Sequence, residues 1–208
     1  MSAARPRPAA IVGTVLLASG LWWMTFAQEL ASFWVKISIS ASLLAAISLR
    51  LRPPPRGSLR WDAPALAWGL ASAVVLYGIF WAGKAVSTAA FPFAGGQIGS
   101  IYHKGDGTPL WTIAVLLFCV TGPSEEIYWR GFLQQALMDR LGRWGGWAAA
   151  TALYAGVHIW SFNFMLVGAA AVAGAFWGAL YARCGRLAPV MVSHSIWSTV
   201  IFAVFPMR

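Results

Sequence analysis

Long apolar stretches separated by short polar segments run through the whole sequence. A helix needs roughly 20 apolar residues to cross the hydrocarbon layer of a membrane, and seven stretches are long enough. They cover residues 9–27, 30–49, 64–86, 110–141, 144–160, 164–181 and 187–205. The pattern therefore predicts an all-α protein, a polytopic transmembrane bundle of about seven helices.

The polar segments between these stretches divide the chain. A basic, proline-rich linker occupies residues 50–62, and three consecutive prolines at 53–55 block helix continuation there. Residues 91–109 are rich in glycine and polar side chains, and we expect them to form a loop outside the membrane. The fourth stretch is expected to be interrupted at Thr-Gly-Pro-Ser, residues 121–124. We predict one membrane domain, made of N-terminal helices in residues 1–110 and a core with the candidate reactive residues in residues 111–208.

Composition supports a membrane environment. Of the 208 residues, 59% are hydrophobic and 10% are charged, whereas soluble domains carry about 25% charged residues. The net charge of +9 would suit nucleic acid, but the basic residues lie in short clusters between apolar stretches. That placement follows the positive-inside rule. The lipid bilayer is therefore the expected partner, and nucleic acid is not.

The same clusters predict the orientation. If the N-terminus is cytoplasmic and the sides alternate, the outer side holds only Lys84, Lys104 and Arg208. We therefore predict a cytoplasmic N-terminus, because basic residues are enriched in cytoplasmic segments. The basic residues assigned to the cytoplasmic side are Arg5, Arg7, Arg50, Arg52, Arg56, Arg60, Arg140, Arg143, Arg183 and Arg186.

Two adjacent carboxylates inside an apolar hairpin are the most informative feature. Each charge near the middle of the membrane costs about 2.5–3.5 kcal/mol. Glu126 and Arg130 are four residues apart and can pair on one helix face. Glu125 points to another face without an obvious cation, so we interpret it as a proton-transfer group. Ser124 is a candidate cap for a new helix start.

Two histidines lie on later spans. Glu125 and His158 are each about sixteen residues from the polar turn between the fourth and fifth spans. In an antiparallel hairpin they would lie at one depth, roughly 24 Å from the turn. Tyr154 shares a helix face with His158, and Ser198 shares one with His194.

Two other features have plainer interpretations. His103 lies in the polar loop beside Lys104 and Asp106, and we interpret it as a solvated residue. The charged residues on the membrane helices could also be an ion-pair network that only fixes helix packing.

The order of these residues resembles a known family. The chain is similar to the CPBP group, also called Abi or CAAX-protease-like, which comprises membrane relatives of the Ras-converting CAAX prenyl endopeptidase. The family motifs are E-E-x-x-x-R, F-x-x-x-H and H-x-x-x-N/D, in that order. This sequence has Tyr154 where phenylalanine is usual and Ser198 where asparagine or aspartate is usual. The motif residues here are Glu125, Glu126, Arg130, Tyr154, His158, His194 and Ser198.

The resemblance implies a peptidase mechanism. Glu125 is expected to act as general base on a water that His158 positions, and His194 with Ser198 is expected to stabilise the oxyanion. Supporting roles fall to Glu126, Arg130 and Tyr154.

The resemblance also bears on metal and substrate. We favour a metal-free site without a cofactor. An open zinc site made of Glu125, His158 and His194 is the alternative, because two histidines and one carboxylate suit that metal. The expected substrate is a membrane-anchored or exported protein or peptide, and the expected location is the bacterial cytoplasmic membrane.

Two other functions are compatible with these residues. Intramembrane Glu, Arg and His also occur in proton relays, and a broken helix can line a transport site, so the chain could be part of a proton-coupled transporter. It could also be a non-catalytic immunity or scaffold protein that keeps the family fold.

Overall fold

The computed structural model describes residues 6–207, and the described residues contain no β-strand. The α-helices are α1 Pro8–Ala27, α2 Phe33–Leu51, α3 Ala63–Ala90, α4 Ala94–Tyr102, α5 Leu110–Val115, α6 Gly122–Glu126, α7 Gln135–Val157, α8 Phe164–Cys184 and α9 Leu187–Thr199. Wider π-helical turns follow α5, α6 and α9, at Leu116–Thr121, Ile127–Gln134 and Val200–Val204. Short 3₁₀ turns follow α4 and α7, at His103–Gly105 and His158–Ser161.

Six helical segments of the described chain are long and apolar enough to cross a membrane, and one of them, Leu110–Ser161, has 52 residues. This long segment turns back on itself inside α7 at Gly142, whose backbone (φ 75°, ψ 168°) is not helical. A positive φ of this kind favours glycine. The two arms pair antiparallel, because Tyr154 contacts Trp129 beyond the turn. The segment therefore folds as a helical hairpin, and the predicted all-α polytopic bundle is confirmed, with six candidate spans in the described chain against the predicted number of about seven.

A second glycine lets the two arms of this hairpin approach closely. A Cβ on Gly146 would lie 2.3 Å from the backbone nitrogen of Met138. We expect Gly146→Ala to lower the free energy of unfolding by about 1–3 kcal/mol, because overpacking forces the backbone apart. Thermal unfolding of the purified protein in detergent measures the change. Gly168→Ala is the control, since a Cβ there meets nothing within 4 Å, and equal stability of both variants would contradict the expectation.

The predicted interruption at residues 121–124 is wrong. Thr121 and Gly122 have helical backbone angles, and the chain continues from α5 to α7 through α6 and its flanking π-helical turns. Proline lacks an N–H and crowds the carbonyl four residues before it, and the wider winding before Pro123 accommodates both effects. No side-chain bond caps α6, so Ser124 does not cap a new helix. The transporter interpretation rested partly on a broken helix at these residues, and the helix is continuous.

The segment predicted as a polar loop contains a short helix. Residues 91–109 include α4, which Asn163 fastens to the start of α8 by donating to the Gln97 carbonyl (2.7 Å). The prediction of a loop is therefore only partly right, although α4 is too short to cross a membrane. His103 bonds Asp106 (3.0 Å), and both side chains are exposed, as expected for a solvated pair.

Most of the described arginines assigned to the cytoplasm lie at one end of the bundle, here called the basic end. Arg52 pairs with Asp139 (2.6 Å), and Arg186 pairs with Asp62 (2.9 Å). The hydrogen bond from Arg186 lowers the pKa of Asp62 below its ordinary value. These pairs connect turns that are distant in sequence. Arg5 and Arg208 belong to the predicted charge distribution and lie outside the described residues.

The opposite end carries less charge. Lys36 donates to the Gln28 carbonyl at the turn between α1 and α2. Lys104 lies over the ring of Phe33, 5.3 Å from its centroid. Burial, and then the charge of Lys36, lower the pKa of Lys104. The contrast between the two ends agrees with a multi-pass protein inserted with its basic end in the cytoplasm.

The N-terminal helices pack directly on the rest of the bundle. Trp22 on α1 contacts Trp129, and Trp34 on α2 contacts Phe202 after α9. All four side chains belong to one apolar core or pack against it. Residues 1–110 and 111–208 therefore form one packed unit in the described chain.

Candidate active site

The hairpin brings the first glutamate to the helix that carries the first histidine. Tyr154 donates its hydroxyl to Glu125 Oε2 (3.0 Å), and His158 Nδ1 donates to the Tyr154 carbonyl (2.7 Å). Glu125 and His158 are buried, with 6% and 8% of their surface exposed. Tyr154 thus joins these two residues, whereas the sequence predicted it as a supporting residue that shares a helix face with His158.

The second glutamate is the centre of a buried ionic cluster. Glu126 Oε1 accepts from Arg130 (2.8 Å), which confirms the predicted pair, and also from His194 Nδ1 (2.7 Å). Arg130 also donates to the Gly174 carbonyl on α8 (3.3 Å). The Glu126 side chain is completely buried. Its other oxygen, Oε2, has no hydrogen-bond partner among the described residues.

A close contact between α6 and α9 makes the bond to His194 possible. A Cβ on Gly122 would lie 2.8 Å from Ser195 Oγ, so a larger residue would push α9 away. This small residue, which the sequence pattern suggested as a helix breaker, instead brings α9 against the two glutamates.

Aromatic rings connect the two halves of the site. The Arg130 guanidinium lies over the ring of Tyr154 (4.8 Å to the centroid) and over the ring of Trp177 (5.5 Å). Trp177 in turn stacks on the His194 ring, with centroids 3.9 Å apart and planes 17° apart. A cation over an aromatic face is stabilised by the ring quadrupole. The Glu125–Tyr154 half and the Glu126–His194 half therefore form one continuous cluster.

Sequence reasoning missed two residues of this cluster. Trp177 was not singled out among the thirteen tryptophans, and neither was Trp22, whose indole N–H donates to His158 Nε2 (3.4 Å). Both contacts join helices that are far apart in the chain. Nothing in the local pattern distinguishes these tryptophans from those that face lipid.

Ser198 lies one helical turn after His194 but does not bond its ring. Its hydroxyl donates to the His194 carbonyl (2.7 Å), a common arrangement for serine inside a helix. Ser198 also lines an apolar cavity of about 450 Å³ between α3, α4, α8 and α9. The predicted oxyanion role of Ser198 stays a prediction.

The described residues contain no group of three or more His, Cys, Asp or Glu side chains placed to hold a metal ion. The three proposed zinc ligands are engaged elsewhere: His194 with Glu126, His158 with Tyr154 and Trp22, and Glu125 with Tyr154. In this arrangement they do not form a three-ligand group, and the metal-free site stays a prediction.

Comparison with known families agrees with this geometry. Residues 107–200 match the family model described as type II CAAX prenyl endopeptidase Rce1-like. This part of the chain is similar to the CAAX-protease-like family. The matched region contains every motif residue named above, from Glu125 to Ser198. No curated protein and no solved structure matches the chain.

The family match and the long apolar helices support the same general class. The long apolar helices are those of an integral, multi-pass membrane protein, and the matched region is similar to a protease family. The matched region begins after α4, so α1 to α4 lie outside it. One of these helices nevertheless contributes Trp22, a direct contact of His158.

Proposed function

We propose that the protein is an intramembrane endopeptidase that hydrolyses a peptide bond of a membrane-anchored or exported protein. One observation carries the proposal: the adjacent buried glutamates have different partners. Glu126 is engaged by two basic side chains, whereas the partner of Glu125 is the neutral hydroxyl of Tyr154. A carboxylate without a cationic partner in a buried site is suited to accept a proton.

The proposed reaction begins at Glu125. Its carboxylate takes a proton from a water molecule, and the water oxygen attacks the carbonyl carbon of the substrate. The same proton then passes to the amine nitrogen as the peptide bond breaks. His158 orients the water. No step in this proposal requires a metal ion.

His194 is the proposed donor to the oxyanion of the tetrahedral intermediate. Its Nδ1 is bound to Glu126, so Nε2 is the nitrogen left for the substrate. Glu126, Arg130 and a protonated His194 would together carry one positive charge, which suits an oxyanion. One such donor contributes about 3–4 kcal/mol where this has been measured. Ser198 would help only if its hydroxyl left the His194 carbonyl.

The apolar cavity is a suitable binding site for an apolar segment of the substrate. It lies between α3 and α8, and Ser198 and Trp197 line it next to His194. Residues of α4, at the end opposite to the basic end, also line it, so the proposed substrate enters from the outer side. A protein exported or anchored across the bacterial cytoplasmic membrane fits that entry.

The test is a search for cleavage products. The protein is reconstituted in liposomes and incubated with membranes of its own host, and new protein termini are identified by mass spectrometry. We expect new termini with the wild type that are absent with Glu125→Gln. An identical set of termini would contradict the proposal.

Two further arms address the alternatives. Cleavage that persists after chelation supports the metal-free mechanism, whereas loss that zinc restores would favour the metal site. A proton flux across the liposomes without any cleavage would favour the transporter.

A further inference from the structure

Two aromatic residues of α1, Trp22 and Phe26, form one wall of the candidate active site. Trp22 and Phe26 lie one turn apart on α1, and both contact the His158 ring, with centroids 6.0 Å and 5.8 Å away. Trp22 also packs edge-on against Trp129 (5.8 Å). The matched family region begins at residue 107, so this wall lies outside it.

The two hydrogen bonds of His158 define its protonation. The Tyr154 carbonyl can only accept, so His158 Nδ1 must carry a hydrogen. The Trp22 indole nitrogen can only donate, so His158 Nε2 must present a lone pair. The imidazole is therefore neutral, with a donor at Nδ1 and an acceptor at Nε2. A ring held this way can accept a hydrogen bond from water but cannot donate one through Nε2.

Trp22 is buried beside His158, and its hydrogen bond to the His158 ring is weak. Its side chain has no exposed surface, and Trp129 and His158 enclose its ring. The bond to Nε2 is long, at 3.4 Å, and a bond of this length is weak. A water molecule can therefore share or replace it without a large loss of stability.

We propose that Trp22 is a positioning residue, whose indole N–H fixes the tautomer and the orientation of the His158 ring until the attacking water takes its place at Nε2. This inference rests on the proposed peptidase function. In this proposal the two O–H groups of the attacking water have different partners. Glu125 takes the proton of one, and His158 Nε2 accepts a hydrogen bond from the other. The contact of Trp22 with His158 also gives α1, which lies outside the matched region, a role at the site.

The test removes the indole N–H and keeps an aromatic ring. In Trp22→Phe we expect kcat to fall about 3- to 10-fold, the effect of one neutral hydrogen bond, while KM stays unchanged. Trp34→Phe is the matched control. Trp34 is also buried, and its indole N–H has no hydrogen-bond partner among the described residues. Loss of the Trp34 indole N–H in Trp34→Phe should leave kcat unchanged.

Nitrogen NMR of protein labelled at its three histidines detects the hydrogen bond from Trp22 to His158 Nε2 directly. A His158→Gln variant assigns the His158 signals. We expect Trp22→Phe to move the His158 Nε2 resonance toward that of a free lone pair, and Trp34→Phe to leave it in place. An unmoved resonance, or a moved resonance with unchanged kcat, would overturn the proposal. If the wild type cleaves nothing, the peptidase proposal fails, while the spectrum still decides whether Trp22 holds the ring.

Discussion

Glu125→Gln should reduce the rate of substrate cleavage by about 100- to 10,000-fold, the range for loss of a general base. The amide cannot accept a proton from water. It keeps an oxygen that can accept the Tyr154 hydroxyl bond, so the fold should survive. We therefore expect thermal unfolding in detergent to be nearly unchanged. The measurement is the initial rate on a substrate found by terminus profiling, at saturating and subsaturating concentrations.

The matched control for this variant is Glu29→Gln. Glu29 is an exposed acid after α1, so its replacement removes the same charge at a distance from the site. Its rate should equal that of the wild type. If Glu125→Gln retained activity within a few-fold of Glu29→Gln, Glu125 would not be the base. Residual activity would then direct attention to Glu126, whose Oε2 is buried without a partner among the described residues.

Arg130→Met should have the largest effect on stability, about 3–5 kcal/mol, because it takes the guanidinium away from a buried carboxylate and leaves His194 as its remaining basic partner. Glu126 and Arg130 have almost no exposed surface. The methionine fills part of the space but cannot donate to Glu126 or to the Gly174 carbonyl. Chemical unfolding of the purified protein in mild detergent measures the loss. Arg56→Met, at an exposed arginine of the proline-rich linker, should change stability little.

A double variant separates the ion pair from general packing. In Glu126→Gln with Arg130→Met, no uncompensated negative charge remains at this pair. We expect it to be more stable than Arg130→Met alone, because residues in direct contact have strongly non-additive effects. Additive losses would mean that the two side chains contribute independently, and the ionic cluster would then not hold the first motif in place.

The Glu126–Arg130 pair also bears on the alternative that the charged residues on the membrane helices only fix helix packing. Arg130 interacts with Glu126, Gly174 and the rings of Tyr154 and Trp177, so it does fix helix packing. Glu125 is not part of that pair. A structural network and the proposed reactive carboxylate therefore lie one residue apart.

The apolar spans and the Glu126–Arg130 pair were evident from the sequence, because each depends on length or on spacing within one helix. The hairpin followed for the same reason, since a short polar turn between two long apolar stretches allows only an antiparallel return. Its register also placed Glu125 near the helix of His158. The winding around Pro123 was mispredicted, because proline can be accommodated by a wider turn as well as by a break.

The partners of the two histidines were decided by tertiary structure alone. His194 binds Glu126 because Gly122 admits α9, and His158 is held by Trp22 from a helix more than one hundred residues earlier. Such contacts depend on how helices rotate and approach one another, which periodicity within one helix does not encode. The sequence by itself therefore determined the membrane bundle and the reactive residue types, whereas packing between helices determined which of them touch.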